Sequence, residues 1–299
     1  MTMEAKALGA SVKDYAVKAV EPVNSKPDNS EPAFSVDGDL LANALSKLTR
    51  ITDSPLYLRA KDNTLELKAH GGKFVVSKVI SEGFQTFSAG EFVIPYKGAK
   101  MLAKVIDDAR YTFTVKKPTL TIDGDDKVLE LKLEQKADAF KPFNFECVES
   151  GNVLTLAKSE LKHLLDSTLY AVAKELTLPI YTAVNFKVEN DLLILSATNR
   201  ARLAMATTQS FSLQGEFNCN IDSEVLRFIL PLLKSKDDVQ IIFKPPCDVR
   251  ISLGDFNINA RCMEGKFADF ARGIPKLSPV AATVNRAELQ GGLKLSRRI

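Results

Sequence analysis

The feature that most restricts the fold of this chain is a repetition. From Phe34 onward one order of motifs is set out, and it is set out again about 120 to 130 residues later, the mark of a duplicated domain rather than a solenoid of small units. Phe34-x-Val36 leading into Asp39-Leu40-Leu41 corresponds to Leu154-x-Leu156 leading into Glu160-Leu161. Leu65-Glu66-Leu67-Lys68-Ala69 matches Leu193-Ile194-Leu195-Ser196-Ala197, and Glu91-Phe92 before Met101-Leu102 matches Glu216-Phe217 before Val225-Leu226. Glu134-x-Lys136 with Phe140 returns as Glu264-x-Lys266 with Phe270. Each copy reads strand, helix, several strands, second helix, several strands. That order predicts an α+β fold in which two helices pack on strand-rich antiparallel sheets, with modules at residues 33–149 and 150–277 between an N-terminal extension, 1–32, and a tail, 278–299.

Local signals place the elements. Asp37-Gly38-Asp39 is expected to cap a helix whose Leu41, Leu45 and Leu48 share a face, and Ser159-Glu160 to do the same for Leu161, Leu164, Leu165, Leu169 and Val172. Second helices are expected from about Lys97 to Asp108 and from Ser223 to Lys234, with Pro231 kinking or ending the latter. Tyr111–Val115, Thr119–Ile122 and Val128–Leu133 read as a β-meander, repeated by Val239–Phe243, Asp248–Ser252 and Phe256–Ala260. Leu8, Val12 and Tyr15 have the spacing of one short amphipathic helix, whereas Pro22 to Pro32 reads as a flexible linker.

The chain has 299 residues, 45% hydrophobic and 26% charged, and a net charge of +3. These values suit two globular domains and argue against a protein that coats nucleic acid through bulk charge. No apolar run approaches the roughly 18 residues of a spanning helix, and the amino terminus lacks a basic-then-apolar signal pattern. A cytoplasmic protein is expected, with no membrane partner. The four cysteines, Cys147, Cys219, Cys247 and Cys262, form no C-x-x-C pair, so neither metal nor disulfide is implied. Only His70 and His163 could serve as imidazole bases, and no serine or cysteine sits in a nucleophile-elbow context. Gly71-Gly72-Lys73 lacks the spacing of a phosphate loop, and Asp123-Gly-Asp-Asp126 is better explained as a hairpin turn. No catalytic residue and no cofactor is expected.

The stretch Leu178 to Ala206 carries more. Phe186, Val188, Leu193 and Leu195 alternate along two runs around Asn190-Asp191, which is tight-hairpin chemistry. A basic loop follows, Asn199-Arg200-Ala201-Arg202. Leu-Pro, a hydrophobic strand and then Leu-x-Leu-x-Ala-Thr-x-x-x-Arg-Leu-Ala resembles the middle module of the bacterial DNA polymerase III β subunit, the sliding-clamp family. That family has Ala-Thr-Asp-Gly-x-Arg-Leu-Ala here, and Asn199 and Arg200 stand where Asp and Gly are usual. Downstream, Glu264-Gly-Lys-Phe-Ala-Asp-Phe-Ala-Arg-Gly-Ile-Pro-Lys276 is similar to the family's Glu-Gly-Arg-Phe-Pro-Asp-Tyr-x-Arg-x-Leu-Pro-x. The resemblance covers residues 34 to 295, and Thr283 to Lys294 resembles the first strand and helix of a third module, most of which the chain is expected to lack.

The basic residues gain meaning from it. Lys47 and Arg50 fall on the first helix of module one and Lys97, Lys100 and Lys104 on its second; Lys158, Lys162 and Lys174 are expected on the first helix of module two, and Arg227 and Lys234 on or just past the second. In the family such helices line the hole of a ring and face duplex phosphates without reading bases, a sequence-independent, salt-sensitive contact. With Arg200 and Arg202 these are the candidate DNA contacts. The family's partner-peptide pocket, carried over, would use Tyr181, Thr198, Arg200, Ala201, Arg202, Leu203, Ala268, Arg272 and Gly273. The resemblance implies a non-catalytic processivity factor that encircles DNA, with a polymerase and a clamp loader as partners. A regulatory or decoy paralogue that binds replication proteins without encircling DNA is the alternative. Family rings hold six modules, so two modules per chain would close a ring of three chains if the same angle between modules is kept; a monomer or a dimer is the alternative.

Overall fold

The computed structural model describes residues 17–18, 31–50, 54–125, 127–133, 150–174, 179–234, 237–270, 274 and 283–296. Two compact units are present, one running to Gly265 and one from Lys266.

In the first unit the repeat is visible strand by strand. Module one contains β1 (Val17–Lys18), β2 (Ala33–Asp37), α1 (Gly38–Leu48), β3 (Leu56–Lys61), β4 (Thr64–His70), β5 (Phe74–Ile80), β6 (Phe84–Ser88), β7 (Gly90–Ile94), α2 (Tyr96–Val105), β8 (Arg110–Lys116), β9 (Thr119–Asp123) and β10 (Val128–Lys132). Module two follows with β11 (Asn152–Ala157), α3 (Lys158–Thr168), β12 (Ala183–Glu189), β13 (Leu192–Thr198), β14 (Leu203–Thr208), β15 (Ser212–Gln214), β16 (Asn218–Asp222), α4 (Ser223–Ile229), β17 (Asp238–Lys244), β18 (Asp248–Leu253) and β19 (Phe256–Arg261). The sheets run β1-β10-β9-β8-β2-β6, then β15-β11-β17-β18-β19-β5-β4-β3-β7, then β14-β13-β12-β16. The nine-stranded sheet crosses from one module to the other where β19 pairs antiparallel with β5, from Phe256 opposite Lys78 to Ala260 opposite Phe74.

Both hairpins between the first meander strands turn on residues with positive φ, Asp62 (50°) and Asn63 (54°) in module one, Asn190 (51°) and Asp191 (58°) in module two. Asp and Asn tolerate that region, and two successive positive φ values give the turn whose twist matches the strands. The cores come from the alternating faces. Phe34 is fully buried and stacks at 4.8 Å on Phe113, with Phe84 at 5.3 Å. Its module-two counterpart, Leu154, is equally buried. α1 turns Leu41, Leu45 and Leu48 inward, each removal from water stabilising by about 1.5 to 3 kcal/mol.

Several expectations are corrected. Asp37 is the N-cap of α1 but makes no cap bond through its side chain; its carboxylate instead accepts from Arg110 at 3.0 Å. Ser159 lies inside α3, whose N-cap is Ala157. That helix stops at Thr168, and Leu169 belongs to a single 3-10 turn, so Leu169 and Val172 are buried without extending it. α2 ends at Val105 rather than Asp108, and α4 gives way after Ile229 to a 3-10 turn containing Pro231, the early end expected of a proline. Strand register moves one correspondence by two residues. Phe92 lies opposite Leu58 and Cys219 opposite Phe186, so Phe92 matches Cys219 and not Phe217. A slip of two keeps every side chain on its face, and alternation alone cannot detect it. The expected helix around Leu8 to Tyr15 and the Glu134-to-Phe140 motif lie outside the described residues.

In the second unit α5 (Arg286–Ser296) starts at Asn285, whose side-chain oxygen accepts from Ala287 N at 2.8 Å and Glu288 N at 3.3 Å. Leu289, Leu293 and Leu295 are exposed on it. Among the described residues no helix is long and apolar enough to cross a membrane.

Candidate nucleic-acid interface

Where the modules join, helix ends of both meet around a cavity of about 520 Å³. Lys47 and Arg50 come from the end of α1, Lys158 from the start of α3, Arg227 from α4 and Lys234 from the segment after Pro231. Asp255, in the β18–β19 turn, is the one acidic residue lining it, so five cations face one carboxylate. Phe228, Pro231, Leu232, Leu253 and Phe256 make the apolar wall. Lys47 and Arg227 lie in the last turns of their helices, where the carbonyl end of the helix dipole favours positive charge.

The geometry fixes some of these cations and leaves others able to meet an anion. Lys47 Nζ sits 5.2 Å from the centroid of the Phe256 ring, and Lys78 lies over the same ring at 4.6 Å while pairing with Asp255. Burial pushes the Lys47 ammonium below its ordinary pKa and the charge of Lys78 adds to this, with Asp255 opposing. A nearby anion would favour the charged form of Lys47 and so oppose both effects. Lys158 is buried at 4% exposure and its ammonium reaches Asp237 at 3.3 Å, so it contributes field rather than a mobile contact. Arg227 donates to the Leu169 carbonyl at 3.1 Å yet is exposed, as are Arg50 and Lys234.

The remaining candidates lie elsewhere. Lys97, Lys100 and Lys104 are exposed on α2 and do not line the cavity, Lys100 donating to Tyr96 Oη at 3.3 Å. Lys162 pairs with Asp166 one turn on, at 2.5 Å, and Lys174 is exposed beyond α3. The cavity also draws in Asp255 and Phe256, which sequence reading did not single out, and Lys78 holds both without lining it. Phe256 and Lys78 face each other across β19 and β5, a long-range pairing with no local signal.

The junction is pinned beside the cavity's α4. Asp222, 3% exposed, caps α4 by accepting from Glu224 N at 2.8 Å and pairs at 2.7 Å with Lys73 of module one. Phe74 stacks on Phe228 at 5.4 Å across the same junction.

Arg200 and Arg202 sit on the β13–β14 loop, which closes on itself. Asn199 Oδ1 accepts from Ala201 N at 3.1 Å and Arg202 N at 2.8 Å, while Thr198 Oγ1 donates to Arg202 O at 2.6 Å and accepts from Arg200 N at 3.0 Å. Asn199 thus does what an aspartate would do in that turn. Arg200 takes φ of 75°, where a glycine would be unstrained. Thr198 is buried and Tyr181 half-buried, whereas Arg200, Ala201 and Arg202 are exposed on the loop and Leu203 is exposed at the start of β14. Ala268 belongs to the second unit, and Arg272 and Gly273 lie outside the described residues. A buried amide network supports the strand end that leads toward that unit: Asn185 Nδ2 donates to Asn220 Oδ1 at 3.0 Å, and Asn220 Nδ2 to the carbonyls of Met263 (3.1 Å) and Gly265 (3.0 Å).

Residues 155–269 match the family model of the DNA polymerase III β subunit, central domain. The β sliding clamp of Staphylococcus epidermidis is 26% identical over 141 residues, and that of Staphylococcus aureus 25%. The match takes in 47% of this chain and only 37% of those relatives' length. Among solved structures, the DNA polymerase sliding clamp from Bacillus subtilis superposes with a TM-score of 0.76 at 19% identity, over 83% of this chain and 69% of that one. The sliding clamp from Bartonella birtlesii bound to griselimycin gives 0.70 at 24% identity, over 82% and 68%. At such identities these structures speak for the fold.

Proposed function

We propose that this chain is a divergent member of the DNA polymerase III β-subunit family, and that it is a non-catalytic, cytoplasmic processivity factor that encloses duplex DNA and tethers replication proteins to it. The observation that carries this reading is the cavity at the module junction, where Lys47, Arg50, Lys158, Arg227 and Lys234 converge from both modules. Ammonium and guanidinium groups on helix ends, with no constellation for reading base edges, suit contact with phosphates alone. Enclosure supplies persistence and the loose electrostatic contact lets the protein slide. The exposed cations of α2, together with Lys162 and Lys174, extend the same positive surface in this reading.

The modules are taken as 33–149 and 150–277, with 278–299 as the beginning of a third. Two modules per chain and six per ring would make the assembly head to tail, three chains joined by the outer edges of modules one and two. A clamp loader and a polymerase are the partners this implies. Within the first unit, the Thr198–Leu203 segment with Tyr181 is the proposed share of the peptide site. Arg200 projects from it where the family has a glycine, which predicts a preference for acidic partner peptides.

Retention on circles tests the proposal. Protein loaded on nicked circular duplex at about 0.15 M salt should stay bound and be released when the circle is cut. Equal retention before and after cutting, or none on either, would contradict enclosure.

A further inference from the structure

The strand pairing inside the chain shows what each module offers its neighbour. β19 closes the β17-β18-β19 meander of module two, and its outer edge is covered by β5 of module one through five residue pairs. The counterpart of β19 is β10, which closes the meander β8-β9-β10. The counterpart of β5 is β14, third in β12-β13-β14. The repeat therefore leaves one edge of each kind at its two ends. On β14 the outer edge has no strand partner among the described residues, and Leu203 and Met205 are exposed along it. On β10 the outer edge is taken by the chain's own β1, antiparallel, Val17 opposite Leu129 and Lys18 opposite Val128.

An uncovered edge is a template for another strand, and proteins blunt such edges to control association. β1 blunts only one of the two, and it does so with two residue pairs where the internal junction uses five. A six-residue strand such as β14 can form a longer ladder on β10 than β1 does, so exchange adds backbone hydrogen bonds. We propose that β1 is a self-docked strand guarding the β10 edge, displaced when β14 of a second copy pairs there, so that residues of the N-terminal extension set the concentration at which the chain assembles. This rests on the head-to-tail assembly proposed above.

The test uses the full chain carrying Val17→Pro and Lys18→Pro, which removes the β1 backbone donor that faces β10, whichever of the two residues supplies it. Light scattering over a concentration series should show half-assembly at about a tenfold lower concentration than wild type, the effect of one or two net hydrogen bonds. Adding Met205→Asp and Thr207→Asp on the exposed face of β14 should abolish that gain. Assembly unchanged by the prolines, or a gain that survives the aspartates, overturns the inference. Retention on circular DNA by the same samples separates the two proposals: retention with unchanged assembly overturns the guard strand alone, whereas loss of retention in wild type overturns the proposed function.

Discussion

Gly38 and Lys158 occupy the same place in the two modules, the first residue of the helix that follows the first long strand. Their backbones do the same thing. Gly38 N donates to Ala109 O at 2.8 Å and Lys158 N to Asp237 O at 3.0 Å, each tying the helix start to the turn before the meander. Their side chains could hardly differ more. A Cβ on Gly38 would lie 2.0 Å from the carbonyl oxygen of Asp107 and 2.8 Å from that of Ala109. In module two the same bond leaves room for a lysine stem, which runs buried to Asp237 and lines the junction cavity. The backbone pattern defines the module, and the side chain at one position decides whether the module packs more tightly or adds charge to the interface.

The largest effect that can break this comparison is Gly38→Ala. With backbone oxygens on two sides and no flexible side chain to yield, it should cost about 3 kcal/mol, read as a lower denaturation midpoint, whereas Lys158→Ala, whose partner Asp237 is 74% exposed, should cost about 1 kcal/mol. Equal losses would show that the two helix starts are not equivalent. The second helices offer a smaller contrast. α4 is capped by Asp222, while Pro95 heads α2 without a side-chain bond. Asp222→Ala should therefore cost about 1 to 2 kcal/mol in urea unfolding, and Pro95→Ala within about 0.5 kcal/mol of nothing.

Much of the fold was legible because its signals are local. Alternation placed both meanders, Asn190-Asp191 marked its hairpin, and Pro231 ended its helix early. What escaped depends on distance. The two-residue shift between Phe92 and Cys219 is set by pairing with Leu58 and Phe186, and no single-strand pattern holds that register. The cations of the cavity were all identifiable one at a time, but their meeting depends on β19 finding β5, a pairing between residues such as Phe256 and Lys78. Lys97, Lys100 and Lys104 looked equivalent to Lys47 and Arg50 in sequence, yet only the latter pair reaches the junction. The role of β1 was hidden for the same reason, since Val17 and Lys18 gain a structure only from Leu129 and Val128.

The central claim is that the junction cavity faces duplex phosphates, and the salt dependence of DNA binding tests it most directly. Arg50, Arg227 and Lys234 are exposed there, so replacing all three by Gln should leave the fold intact. Each phosphate that is no longer neutralised lowers the slope of log affinity against log salt by about 0.9, giving a predicted drop of about 2.7 for the triple variant. A slope equal to that of the wild type would contradict the account, because it would mean that these residues meet no phosphate.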